Sequence, residues 1–273
     1  MTLYPLLMAP AFLSGPETPW GGEMLREIFM KEAPGENTGA SLEVSTLPER
    51  ESMVAAGPHA GHTLGKMIEL WGRDLTGVDG PFPLTLSLLD AGTDQPPQTC
   101  AENKAWVILN AEPGAMAAGI AVRPGDVYFI PAGASHALGA GIQAYEIRGL
   151  SGREAADPRP VRNEGTTVLC RGGSRTYYVS DGGFELCRLN LSGKMPLEAG
   201  RMLLLTALAP CAIRWGEDDR MDFTPFTTIL VPAALESVVL EGSAKVLMAS
   251  VSDREKLREA LDYRAENVAG LMD

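Results

Sequence analysis

Histidine is scarce in this chain: there are three in 273 residues, His59, His62 and His136. Imidazole chemistry therefore has few places to sit, and any site that needs it must include one of these positions. Cysteine is almost as sparse. Cys100, Cys170, Cys187 and Cys211 are far apart, with no C-x-x-C pair, which excludes a disulfide framework and gives no sign of a cysteine zinc site. Basic runs are missing, and the formal net charge is −12. A surface of that sign repels a phosphate backbone, so nucleic acid is not an expected partner. No stretch approaches the roughly 18 apolar residues of a membrane span. The apolar opening MTLYPLLMAPAFL lacks the basic start of a secretory leader, so the expected location is cytoplasmic, with no membrane association.

What is present is a globular composition, 45% hydrophobic and 21% charged. The length suits one large domain or two small ones, at roughly 100–200 residues each. Met24, Leu25, Ile28 and Phe29 recur at helical spacing and predict a helix over Pro19–Phe29. Thr63 is placed to cap a second helix, whose stripe Leu64, Met67, Ile68 and Trp71 reads as core. Elsewhere short runs rich in Val, Ile, Leu and aromatics alternate with Gly, Pro and Asp. Among them are Ser41–Thr46, Thr85–Leu89, Ala105–Leu109, Val127–Ile130, Gln143–Arg148, Phe184–Leu191 and Ala244–Val251. So many short strands predict a sandwich or barrel. Gly149–Gly165 lacks apolar periodicity and reads as a linker. The tail from Ser252 carries a capping-box pattern and one apolar face, predicting an amphipathic helix that either docks on the body or makes a homodimer contact.

One motif carries chemical meaning. PGDVYFIPAGASHAL, from Pro124 to Leu138, fits G-x5-P-x-G-x2-H, the second signature of cupin barrels. Pro124-Gly125-Asp126 makes a turn, Val127–Ile130 a strand, and Pro131-Ala132-Gly133 a second turn that aims His136 at the barrel mouth. A histidine there ligates a metal or handles a proton. Cupins supply its partners from an earlier H-x-H motif with a glutamate, and no histidine pair lies between Pro81 and Gly119. His59 and His62, in the loop GPHAGHT, read as surface residues. RGGSRTYY, from Arg171, reads as a hairpin turn opening a second barrel rather than an anion nest.

Beyond that motif the chain resembles the type I mannose-6-phosphate isomerases (phosphomannose isomerases) in their short bacterial form. PWGGEMLREIF (Pro19–Phe29), Thr38-Gly39, the S-x-L-P at Ser45–Pro48, GPHAGHTLGKMIELW and FPLTLSLLDA (Phe82–Ala91) are similar to family segments, with a looser likeness through TTILVPAALESVVLEGSAKVLMASVS. The resemblance implies a mainly β fold, a bicupin of two jelly-roll barrels with a few flanking α-helices. On that reading residues 1–160 hold the active-site barrel and its helices, 166–252 a smaller barrel, and 253–273 the C-terminal helix. It also implies zinc in the first barrel, and interconversion of mannose 6-phosphate and fructose 6-phosphate by proton transfer between C1 and C2.

The chain departs from the family where that chemistry is done. Where the family has Q-x-H-P and then K-x-E, this sequence reads GTDQPPQTCAENKAWVIL. Matched on Trp106, the family's ligand glutamate falls on Lys104, and a family lysine falls on Ser87. A lysine at position 104 would repel zinc. Of the site the resemblance implies, His136 and Glu146 remain as expected metal-binding and catalytic residues. Glu102 is a substitute ligand, and Gln95 or Gln98 are weaker oxygen donors. Arg153 and Arg159 stand out of register with the family's catalytic arginine. Three readings stay open at this point. The chain is a working isomerase, or a catalytically inactive homologue that binds a sugar or sugar phosphate as a regulatory module, or a cupin using His136, Glu146 and Tyr145 without metal.

Overall fold

The protein, seen in a computed structural model, is described for residues 3–35, 37–149, 158–179 and 183–252. The expected C-terminal helix over 253–273 and residues 150–157 of the expected linker, including Arg153, lie outside the described residues, while Val161–Arg162 within that linker is a strand.

The fold is mainly β. A seven-stranded sheet runs in the order Val161–Arg162, Val127–Ile130, Lys104–Ala111, Ile142–Gly149, Leu84–Ala91, Thr38–Val44 and Ala11–Ser14. An eight-stranded sheet holds Thr166–Cys170, Gly173–Val179, Phe184–Leu191, Lys245–Val251, Leu203–Ala207, Thr228–Val231, Leu6–Ala9 and Met53–Val54. A four-stranded sheet covers the outer face of the second, across a core that includes Leu189, Leu205, Ile213 and Leu240. Pairing is antiparallel through the middle of both large sheets.

Side-chain alternation decides what each face of the seven-stranded sheet does. In Ile142–Gly149, Tyr145 and Ile147 point into the core shared with the eight-stranded sheet, where Leu84, Leu86, Leu88, Phe184, Leu204 and Leu247 meet. Burying each of those leucines stabilises the fold by about 2 kcal/mol. Ala144, two residues before Glu146, belongs to the opposite face with Ala40, Leu42, Leu89, Trp106 and Ile108. The inner strands thus serve one core on one side and a second on the other.

The predicted helix after Thr63 is present as Leu64–Trp71, with Thr63 Oγ1 accepting a hydrogen bond from Lys66 N at 3.2 Å, and Leu64, Met67 and Trp71 are buried. The helix expected over Pro19–Phe29 is shorter, only Met24–Glu27. The reason is a close approach: a Cβ on Gly22 would lie 2.7 Å from Asp90 Oδ2, and Gly22 bridges Thr38 in extended form. The chain becomes helical only where the Asp90 carboxylate accepts from Met24 N at 2.7 Å. The strand Leu6–Ala9 was not expected. It pairs with Thr228–Val231, so the opening residues belong to the sheet of the chain's second half.

Candidate functional site

The turn that delivers His136 is built as its sequence demands. Gly133 has φ +84°, a left-handed conformation that a side chain resists, and Ala134 N donates to Pro131 O across the turn. His136 then pairs by backbone with Gln98, N to O in both directions. Its Nδ1 lies 2.9 Å from the Ala134 carbonyl. A carbonyl only accepts, so Nδ1 carries the proton and Nε2 presents a lone pair.

That lone pair meets a lysine. Lys104 Nζ is 3.2 Å from His136 Nε2 and 3.5 Å from Glu146 Oε2, and all three residues are buried. The arrangement follows from register: Lys104 pairs with Arg148, and Trp106 with Glu146, on adjacent strands, so the four side chains share one face. Trp106 Nε1 donates to Glu146 Oε2 at 2.9 Å, and Arg148 Nη2 donates to Glu146 Oε1 at 2.9 Å. The Trp106 ring meets the His136 ring edge-on, with centroids 5.4 Å apart.

Burial would raise the Glu146 carboxyl, but the charges of Lys104 and Arg148 and the hydrogen bonds from Trp106 and Arg148 overcome it and hold the group at about 2. His136 is held below the ordinary imidazole range, chiefly by burial. The hydrogen bond to Ala134 opposes this and the charge of Lys104 reinforces it. The cluster therefore carries a neutral imidazole, one carboxylate and two cations. It lines a cleft of about 240 Å³ through Lys104, Glu146 and Arg148, with Ser87, Trp20 and Gln98 among the other wall residues. His136 lines a separate depression with Gln95 and Met116, which puts Lys104 between the imidazole and the cleft.

Other residues singled out from the sequence are placed differently. Gln95 Oε1 accepts from Leu138 N at 3.1 Å, and its backbone bonds the same residue. Glu102 acts electrostatically on Arg148, and its carbonyl accepts from Cys100 Sγ. Tyr145 faces the opposite core from Glu146, and burial pushes its hydroxyl up. His59 is not a surface residue: it is buried, stacks on Tyr4 and lies edge-on to Trp71, while His62 is exposed with its Nδ1 3.2 Å from that of His59. Arg171-Gly172 closes the hairpin between Thr166–Cys170 and Gly173–Val179, as expected. Arg148 was missed as a site residue. The Glu-x-Arg spacing on a strand, which puts both side chains on one face, was the available signal.

The zinc that the family resemblance implies does not fit these side chains. Among the described residues no group of three or more His, Cys, Asp or Glu side chains converges. The imidazole nitrogen free to ligate faces an ammonium instead.

No protein-family model matches the chain. It is 30% identical to Bacillus subtilis YvyI, provisionally named as a mannose-6-phosphate isomerase, over an alignment covering 54% of this chain and 58% of that one. The mannose-6-phosphate isomerase of Streptococcus mutans is 28% identical over 47% of this chain and 53% of its own length. The chain thus spans about half the length of these curated relatives. The crystal structure of the Bacillus subtilis mannose 6-phosphate isomerase superposes with a TM-score of 0.76 at 21% identity, covering 90% of this chain and 99% of that one. The chain is similar in sequence to mannose-6-phosphate isomerases and shares their fold. The apo isomerase of Salmonella typhimurium shares the fold at a TM-score of 0.72 and 11% identity, over 92% of this chain and 100% of that one. Against that shared isomerase fold, the contact between Lys104 and His136 is a feature of the side chains present here.

Proposed function

We propose that the chain is an isomerase-like protein of carbohydrate metabolism, acting in the cytoplasm, whose cleft holds a sugar phosphate against Lys104 and Arg148. The carrying observation is that two cations share one barrel face, steadied by one carboxylate, in a chain related to mannose-6-phosphate isomerases. Arg148 is about a third exposed and opens to the cleft, so its guanidinium is placed to meet an anionic group. Lys104 has three N–H donors, one of them within reach of His136 Nε2, and its charge is paired with Glu146 at 3.5 Å, which leaves donor capacity for a ligand oxygen.

Glu146 is better suited to positioning than to taking a proton, since Trp106, Lys104 and Arg148 share its two oxygens and keep it ionised. In this reading residues 1–160, apart from the strands Leu6–Ala9 and Met53–Val54 that join the sheet of the second half, form one cupin barrel that holds the ligand, and residues 166–252 form the other.

One observation favours a second reading. Lys104 takes up the lone pair of His136 that would otherwise accept a proton, as befits a binding module without turnover. A coupled assay of mannose 6-phosphate isomerisation, run with calorimetric titration of the same sugar, separates the two. Turnover that disappears in His136→Ala supports the isomerase, and binding without turnover supports the module. Neither binding nor turnover would contradict both.

A further inference from the structure

The misfit to zinc has a positive counterpart at the same atoms. We propose that Lys104 supplies, as a covalently held ammonium, the positive charge a metal ion would bring to such a cleft, so that the wild-type protein meets its ligand without a divalent cation. The ligand class is a hydroxyl- or oxyanion-bearing small molecule with an anionic group reaching Arg148. That assignment of ligand rests on the function proposed above; the role of Lys104 rests on the geometry alone.

Three features define the ammonium's place. It lies within hydrogen-bond distance of His136 Nε2, the ring nitrogen left free to donate a lone pair by the Nδ1 contact to Ala134. Its second neighbour is Glu146, a carboxylate fixed from two further sides by Trp106 and Arg148. An imidazole nitrogen and a carboxylate oxygen converging on one point make part of a metal ligand set, and here the point is held by Nζ. Lys104 also lines the cleft, so the charge is presented to whatever enters.

A dication brought to His136 and Glu146 would sit almost on the ammonium, where like charges repel strongly in a buried setting. Binding a metal would require this side chain to leave, and its stem is packed at 2% exposure. The strand register holds it there, since Lys104 pairs with both Arg148 and Ile130 on its flanking strands. A carboxylate at position 104 would reverse the situation, completing a three-ligand set with His136 and Glu146.

The test is zinc retention and thermal stability. Wild type, His136→Ala, Lys104→Glu, Lys104→Glu/His136→Ala and Lys104→Met are incubated with zinc, desalted, and measured by elemental analysis and melting with and without the metal. The expected result is no His136-dependent zinc in wild type. Lys104→Glu should retain about one zinc per chain and melt higher with it, and both gains should vanish in the double variant. Zinc held by wild type and lost in His136→Ala overturns the proposal, as does a folded Lys104→Glu that retains no more zinc than wild type. If Lys104→Glu fails to fold, Lys104→Met decides. In chelator, wild type should bind mannose 6-phosphate and the methionine variant at least tenfold more weakly; equal binding overturns the proposal. Absence of sugar-phosphate binding to wild type, with the zinc pattern as expected, would count against the proposed function and leave the role of Lys104 standing.

Discussion

Glu146 shows how much one buried carboxylate can hold together. Its two oxygens take Trp106, Lys104 and Arg148, so Glu146→Gln leaves two cations without their counter-charge. The expected loss is about 3 kcal/mol or more, read as a lower urea midpoint at neutral pH. The pH dependence has a definite sign. The folded-state value of about 2 lies below the ordinary carboxyl value of 4.5, so the carboxylate's contribution is fully present above that ordinary value and is lost as pH falls toward about 2. The gap in stability between wild type and Glu146→Gln should therefore shrink over that window. The cysteines give a second residue-scale test. Cys170 is exposed, whereas burial raises the Cys187 thiol and pushes Cys211 up to about 12. Alkylation at pH 8 followed by mass spectrometry should mark Cys170 first and leave Cys187 and Cys211 unmodified until the protein unfolds.

Among the elements, those written in local spacing were legible in the sequence. Val127–Ile130 and Phe184–Leu191 stand where their runs of apolar residues put them, and Thr63 caps Leu64–Trp71 as expected. Thr63→Ala should cost about 1 kcal/mol, measurable as a lower melting temperature, because Lys66 N loses its acceptor. The helix after Pro19 was overread because its beginning depends on Asp90, 66 residues away, and on the close approach of Gly22 to that side chain. His59 looked like a loop residue in a Gly/Pro segment. Its burial comes from Tyr4 and Trp71, which no local pattern connects to it. In the same way the motif around Gly133 gave the position of His136, while its lysine partner, 32 residues earlier, depended on the register of adjacent strands.

At the scale of the whole molecule, the two large sheets are joined by an apolar core and by one buried ion pair. Lys31 Nζ lies 2.7 Å from Glu43 Oε1 and also donates to the Phe226 carbonyl, while Glu43 accepts from Ser41 and from Thr228 of the other sheet. Removing one partner strands a charge in the interior. Glu43→Leu alone should cost about 3–5 kcal/mol, and Lys31→Met/Glu43→Leu should recover most of it, as urea midpoints in a double-mutant cycle would record. The same economy of charge governs the cleft, where Glu146 steadies Lys104 and Arg148 and both cations line the wall offered to the ligand, with Glu17 as a second carboxylate at that wall. The most direct measurement of that claim is calorimetric titration of mannose 6-phosphate into wild type and Arg148→Met, each in excess chelator. Binding by wild type that weakens at least tenfold in the variant is the predicted result. Equal binding by the two proteins, or wild-type binding that the chelator abolishes, would contradict it.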